Sequence, residues 1–365
     1  MDKKELRHIY AEKKIRESIR HLNINDKLPG ERTFSTELGI SYMTIRRAID
    51  NLVEKGLLYK IPKKGTFVAD PKQAATKTKK TKNLGYFLDS SIKDGLSSPY
   101  YSMVFDALEK EAGKYGYSMM YFSNSDGSDF LEIAKKIDGV VVSCFPRIEP
   151  IIQELKDRVA VVCIDNTSTD KSIPSVTLDN FNSVVESIAY LANLGHQRIG
   201  FITGLDDSDI GRGRLAGYLS ALKSQHIAED RDLIFKGDYS FKTGTLGADY
   251  FLSLPRPPTA IMCANDTMAI SALREVSRKG LRVPADISIV GFDDIVMASQ
   301  ITPALTTVSV PVDQIAKNSI DILRSAMDSN DQQYQHVALP CKLVERETAR
   351  EINEKSTEAA KLKVS

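Results

Sequence analysis

Cysteine is scarce in this chain of 365 residues, with only Cys144, Cys163, Cys263 and Cys341, scattered and mostly within apolar stretches. None stands at a paired metal-binding spacing, so no metal site is expected, and the four read as reduced core thiols of a cytosolic protein. Histidine is equally uninformative: His8, His21, His196, His226 and His336 show no ligand spacing, and no motif assembles a Ser-His-Asp constellation. No catalytic residue is therefore assigned, and an enzyme has no support in the sequence. No stretch approaches eighteen consecutive apolar residues and the amino-terminal region has no apolar signal segment, which argues against membrane insertion or export and predicts a cytoplasmic protein. Net charge is nearly missing as well, at +1.

That balance conceals two opposite parts. Residues 1–82 hold 20 Lys and Arg against 10 Asp and Glu, leaving 29 against 38 for residues 83–365. A basic head on an acidic body follows, and only the head suits a polyphosphate. Between them Asp70 to Lys82 carries five lysines, no large apolar residue and no periodicity, which reads as a mobile tether. Two readings of its lysines stand, nonspecific phosphate contact and simple solvation. The predicted organisation is a head at 1–70, a Lys-rich linker at 71–82, a body at 83–350 and a polar tail at 351–365.

Within the head, Ala11, Ile15, Ile19 and Leu22 mark one face of a first helix, and Phe34 and Leu38 belong to a short second one. Gly39 turns the chain and Ser41 is a good N-cap. Ile45, Ala48, Ile49 and Leu52 then follow at i, i+3, i+4 and i+7 until Gly56 ends a third helix. This is helix-turn-helix spacing. Tyr42, Met43, Arg46, Arg47 and Asp50 remain on the outer face, a set able to lie in a major groove. Leu57–Ile61 and Thr66–Val68 predict two short strands around Pro62-Lys63-Lys64-Gly65, a basic-tipped wing.

Residues 6–69 resemble the winged helix-turn-helix domain of the GntR family of bacterial transcription regulators. The residues that carry the likeness are Leu28-Pro29, Glu31-Arg32, Ser41, Thr44, Arg46, Ala48, Leu52, Gly56-Leu57-Leu58 and Gly65-Thr66-Phe67-Val68. The resemblance implies phosphate and base contacts by Arg32, Thr44 and Arg46 and minor-groove entry at Gly65. With their neighbours, the expected DNA-binding set is Arg32, Ser41, Tyr42, Thr44, Arg46, Arg47, Lys64 and Gly65. One departure stands out: the residue after the capping serine is commonly arginine in that family and is Tyr42 here.

The body alternates strand and helix signals. Strands are predicted at Leu84–Leu88, Tyr117–Phe122, Gly139–Val142, Val159–Ile164, Ile199–Thr203, Leu233–Phe235, Thr259–Cys263 and Ile287–Val290, mostly as near-continuous apolar runs suited to parallel strands buried on both faces. The fold class is α/β: two doubly wound lobes with a cleft between them, since one core seldom grows to this length. Polar residues at the carboxyl ends of the strands, where open sheets bind ligands, are Asp89, Ser143, Asp165, Thr203-Gly204, Asp238, Asn265-Asp266 and Asp293-Asp294. The run Gly211-Arg212-Gly213 to Gly217 imitates a dinucleotide fingerprint, but its third glycine comes one residue late, so no nucleotide or other cofactor is expected. Asp266 reads as the cap of a helix starting at Thr267.

Most of residues 83–349 resembles the effector domain of the LacI/GalR family, itself similar to periplasmic sugar-binding proteins. Ser98-Pro99-Tyr100-Tyr101, Val162–Asp165, Leu194–Ile199, Gly213–Tyr218, Ala264–Ala269, Gly280–Asp294 and Pro303–Val308 carry the likeness. A GntR-type head on such a body is similar to arabinose-operon-type repressors. The resemblance implies a ligand set of Tyr100, Tyr101, Asp165, Arg214, Tyr239, Asn265 and Asp293, whose paired hydrogen bonds and aromatic faces fit a carbohydrate. Two bland alternatives stand beside it: Tyr101 as a plain helix residue and Arg214 as an exposed cation. Asn166 replaces a frequent arginine and Val310 a frequent glutamine, which favours a pentose or deoxy-sugar over a hexose. Crossings between lobes are expected near Asp179-Asn180, Thr307-Val308 and Leu339–Val344. The predicted function is a homodimeric, ligand-responsive repressor that binds double-stranded operator DNA and is released by a sugar. A sugar-binding adaptor and an α/β enzyme with a DNA-binding head are the competing readings.

Overall fold

The computed structural model of this chain describes residues 3–19, 22–54, 56–62, 64–69, 81–89, 92, 94–123, 130–143, 148–328 and 335–352. The chain divides into two units, residues 1–80 and 81–365. The linker reading for residues 71–80, the tail reading beyond Ile352, and Cys144, His21 and Lys63 lie outside the described residues. Thr81 and Lys82 are held by the body, each donating its backbone N–H to the Asp138 carboxylate at 2.8 Å.

In the first unit, helices Lys3–Ile19, Glu31–Leu38 and Tyr42–Glu54 enclose one small core. Ala11, Ile15, Phe34, Ile45, Ala48, Ile49 and Leu52 are buried there together with Leu28, Leu58 and Val68, so the apolar spacing of each helix became its inner face. Gly39 ends the second helix at φ +64°, a left-handed position that favours glycine. Ser41 Oγ accepts the Thr44 N–H at 3.3 Å, the expected N-cap of the third helix. Strands β1 (Leu58–Ile61) and β2 (Gly65–Val68) pair antiparallel as the wing. Asp26–Leu28 joins them, Leu28 N–H donating to the Thr66 carbonyl at 2.8 Å and Val68 N–H to the Asp26 carbonyl at 2.9 Å. This third wing segment has no periodicity of its own and was not anticipated.

The second unit contains β3 (Asn83–Phe87), β4 (Ser118–Phe122), β5 (Gly139–Ser143), β6 (Ala160–Ile164), β7 (Ser175–Leu178), β8 (Ile199–Ile202), β9 (Ile234–Phe235), β10 (Ala260–Cys263), β11 (Ser288–Asp293), β12 (Thr306–Ser309), β13 (His336–Leu339) and β14 (Lys342–Val344). They form two six-stranded sheets, in the orders β13-β7-β6-β5-β3-β4 and β14-β12-β11-β10-β8-β9. All pairings are parallel except that of β14 with β12. Helices cover the sheets, so β5, β6, β8 and β10 are buried along their whole length, as their apolar sequences demand. Pattern alone missed β7, β12, β13 and β14. They span only three or four residues, and β7 and β12 bury hydroxyls (Ser175, Thr306, Thr307) that break any apolar run.

Each lobe is assembled from separate stretches. Helix Asn180–Asn193 follows β7 of the first sheet yet packs against helix Asp209–Ser224 of the second lobe, while helix Val312–Asp328 follows β12 yet packs on β5, β6 and β7. The chain therefore crosses at Asp179-Asn180, at Val310-Pro311 and at Pro340-Cys341. The second crossing lies beyond the expected Thr307-Val308, because those residues are still paired with β11 and β14. The glycines of the fingerprint imitation serve packing instead. A Cβ at Gly211 would fall 1.9 Å from the Leu205 carbonyl oxygen, and one at Gly217 would fall 2.5 Å from that of Phe181, where the two helices meet.

Candidate functional site

Two sites emerge, one in each unit. In the head, burial of Ile45, Ala48, Ile49 and Leu52 turns Tyr42, Met43, Arg46, Arg47 and Asp50 outward. Arg32, Arg46, Arg47 and Lys64 are exposed, and none is held by a carboxylate among the described residues. The acidic groups on this face are silenced: Lys60 Nζ lies 2.6 Å from Asp50 Oδ1 and 3.1 Å from Glu31 Oε1. The Ser41 and Thr44 hydroxyls are 2.8 Å apart, so the first turn is fixed before any ligand arrives. Gly65 adopts φ +122°, and a Cβ there would meet Lys27 Cε at 2.8 Å; the wing turn itself requires glycine.

In the body, the expected ligand residues come together across the two lobes. Asp165 leaves β6 at φ +69° and is buried. Tyr100 Oη donates to its Oδ1 at 2.9 Å, and Ser143 Oγ donates to Oδ2. Burial raises the Asp165 pKa, against the opposing pull of the Ser143 and Tyr100 hydrogen bonds and of Arg214. Tyr101 sits in the first turn of helix Pro99–Gly113 with its ring edge-on to Tyr100 at 5.1 Å, so it is both helix residue and cleft wall. The neighbouring Tyr86 hydroxyl is buried without a hydrogen-bond partner among the described residues.

The second lobe supplies Asp293, which ends β11 at φ +118°. Burial lifts its pKa well above the ordinary carboxylate range; Arg214 opposes the shift, and Asp266 and Asp165 add to it. Arg214 is not an exposed cation: only 3% of it is accessible. Its Nε donates to Asn180 Oδ1 at 2.8 Å, its Nη1 donates to the Ala264 carbonyl, and its guanidinium lies 3.5 Å above the Phe292 ring. Nη1 is 4.0 Å from Asp293 Oδ1. This buried cation is thus tied to a crossing segment through Asn180, a link that sequence reasoning missed although the crossing itself was anticipated.

Tyr239 and Asn265 complete the set indirectly. Tyr239 holds φ +66° with its ring so close over Gly204 that a Cβ there would come within 2.0 Å of it. Asn265 donates from Nδ2 to the Tyr239 carbonyl at 3.0 Å, and its Oδ1 accepts the Met268 N–H at 2.9 Å. Asn265 is therefore the N-cap of a helix that begins at Asp266, correcting the assignment of the cap to Asp266. Asp266 is fully buried instead, accepting from Ile295 N–H at 2.9 Å and Thr307 Oγ1 at 2.5 Å. Its pKa is pushed up to about 7 by burial. Of the other strand-end carboxylates, Asp238 accepts from Thr243 Oγ1 at 2.8 Å within its own turn and Asp294 from Arg346 at 2.6 Å.

Asn166 was singled out only for lacking a guanidinium. Its Oδ1 reaches across to the second lobe and accepts the N–H groups of Asp209 and Ile210 at 2.8 and 3.4 Å, at the start of helix Asp209–Ser224. Among the described residues, no group of three or more metal-ligating side chains converges.

Comparison with known proteins agrees with both units. The gntR family of bacterial regulatory proteins matches residues 8–68, and the periplasmic binding protein-like domain matches residues 188–349. The HTH-type transcriptional repressor CytR of Escherichia coli strain K12 is 32% identical over 272 residues, covering 71% of this chain and 78% of the relative. The HTH-type transcriptional repressor PurR of Shigella dysenteriae serotype 1 is 29% identical over 279 residues, covering 74% and 80%. A solved regulatory protein of the LacI family from Chloroflexus aggregans superposes with a TM-score of 0.65 at 26% identity, over 74% of this chain and 99% of that one.

Proposed function

We infer that this chain, which belongs to the LacI family of transcriptional repressors and carries a gntR-type head, is a homodimeric repressor that a small neutral sugar releases from its operator. The observation that carries this reading is the meeting of Asp165, Asp293 and Arg214 between two lobes, with Arg214 bonded to a crossing segment. Carboxylates accept from vicinal hydroxyls, the guanidinium donates to them, and the Tyr100, Tyr101 and Tyr239 rings cover the apolar faces of a sugar ring. A sugar that displaces any partner of Arg214 changes the balance at the waist. Whatever factor the sugar exerts on operator affinity, the operator exerts on sugar affinity in return.

A pentose such as arabinose is the favoured size. Val310 is buried and apolar at the second crossing, and Asn166 spends its carbonyl on the opposite lobe, so neither reads an extra hydroxyl. Thermal shift against L-arabinose, D-ribose, D-xylose and common hexoses tests the reading, because a ligand at a hundred times its Kd stabilises by about 2.7 kcal/mol. Asp293→Asn is expected to abolish the shift and leave operator retention intact, and Arg46→Ala to do the reverse. A protein that answers no saccharide, or whose grip on duplex DNA ignores the one it binds, overturns the reading.

A further inference from the structure

The most exposed large apolar side chain among the described residues is Met43, 69% accessible, and Tyr42 beside it is 39% accessible. Both lie in the first turn of the helix Tyr42–Glu54, on the face that also presents Arg46 and Arg47. Nothing in the head needs them there: the core is complete without them, and the cap is made by Ser41 and Thr44. Exposing a thioether at the centre of a cationic surface is unfavourable in water, so its gain must come from a partner that is both anionic and locally apolar. A duplex meets that description. Its phosphates match Arg32, Arg46, Arg47 and Lys64, and in the major groove the apolar feature of its base edges is the C5-methyl group of thymine.

We propose that Met43, with the ring of Tyr42 beside it, packs against thymine C5-methyl groups, so that this regulator reads A·T pairs at the positions its first recognition turn covers. The pairing of Asp50 and Glu31 with Lys60 fits the same assignment, because it engages the two carboxylates that could otherwise accept from a cytosine amine. A bulky arginine at either position would instead select guanine through its paired donors. The inference rests on the head being a DNA reader. Its failure is separable from the failure of that reading.

The test uses the full chain. Selection from randomised duplexes is expected to return half-sites with one or two fixed thymines. Replacing each such thymine by deoxyuridine, which removes the methyl group alone, is expected to weaken binding about fourfold per buried methyl. Met43→Ala should bind the thymine and deoxyuridine duplexes equally, Met43→Leu should restore the difference, and Met43→Arg should move selection toward guanine. Equal binding of the unaltered protein to every deoxyuridine duplex overturns the proposal, as do half-sites fixed only at G·C pairs. So does a Met43→Ala protein that keeps the parent's affinity and its preference for thymine over deoxyuridine, the result expected if Met43 instead docks on a protein. If no duplex is enriched at all, the DNA-reader assignment itself falls and this inference with it.

Discussion

The reader face of the head and the cleft of the body solve opposite problems. On the helix Tyr42–Glu54 the groups that hold the core are buried and most of those offered to a ligand are exposed, Thr44 alone among the expected DNA contacts on this helix also serving the cap. In the cleft the two sets coincide. Arg214 fastens Asn180 and Ala264 and lies over Phe292, and the same guanidinium is the donor a sugar would meet. A surface reader can change specificity without touching stability, whereas a buried sensor cannot. Under the proposed function, that coincidence would let occupancy of the cleft alter the shape of the protein, since a ligand would compete for groups the fold already uses.

The sharpest way to break this comparison is Arg214→Ala. Removing one partner of a buried polar network leaves Asn180 and the Ala264 carbonyl short of a donor and Asp293 short of a counter-charge, at an expected cost of about 3–5 kcal/mol. Calorimetry should show a large fall in Tm together with loss of the sugar response. Arg46→Ala, equally cationic and exposed, should leave Tm where it was. Similar melting losses from both substitutions would mean that the two regions are built alike.

A second test uses pH and expects a smaller effect. The folded pKa of Asp266 is about 7 against an ordinary 3.8. Between those values the folded state keeps a proton that the unfolded chain has released. The contribution of Asp266 to stability is therefore greatest at low pH and is lost as pH rises through 7, by up to about 1.4 kcal/mol per pH unit. Asp165 and Asp293 are shifted in the same direction by burial. Melting between pH 5 and 8 should flatten in Asp266→Asn. In the head, the Lys60–Asp50 pair faces solvent, and Lys60→Ala should change stability by less than about 1 kcal/mol at any pH in that range.

Legibility in the sequence divided along the same line. Ile45, Ala48, Ile49 and Leu52 declare a helix by spacing, and the outward set follows by subtraction, so the reader face was readable without a structure. The long strands of the body were equally plain because burial on both faces demands unbroken apolar runs. The cleft was only half visible. Asp165 and Asp293 were marked by their place after apolar strands, but the bond from Arg214 to Asn180 joins residues 34 positions apart, on helices that neither period nor composition pairs. Asp266 went to the wrong task because local preference favours an aspartate as a cap, whereas the fold spends its carboxylate on Ile295 and Thr307. Short strands such as Thr306–Ser309 carry too few residues for alternation to register.

Asn166 offers the finest distinction. It belongs to the first lobe, yet its Oδ1 accepts the first N–H groups of helix Asp209–Ser224 in the second, so the contact exists only while the lobes are together. One hydrogen bond of this kind contributes about 1 kcal/mol, a roughly fivefold bias in a two-state equilibrium. Asn166→Ala should therefore weaken sugar binding about fivefold if the sugar prefers the joined arrangement. It should leave the unfolding free energy within about 1 kcal/mol of the parent, because each lobe keeps its own core. Asn166→Asp retains an acceptor at a helix N-terminus, where negative charge is favoured, and should restore affinity. Titration calorimetry on the three proteins decides the matter. If alanine and aspartate variants bind alike, the clasp carries no part of the switch, and the coupling must reside wholly in Arg214 and the crossing at Asn180.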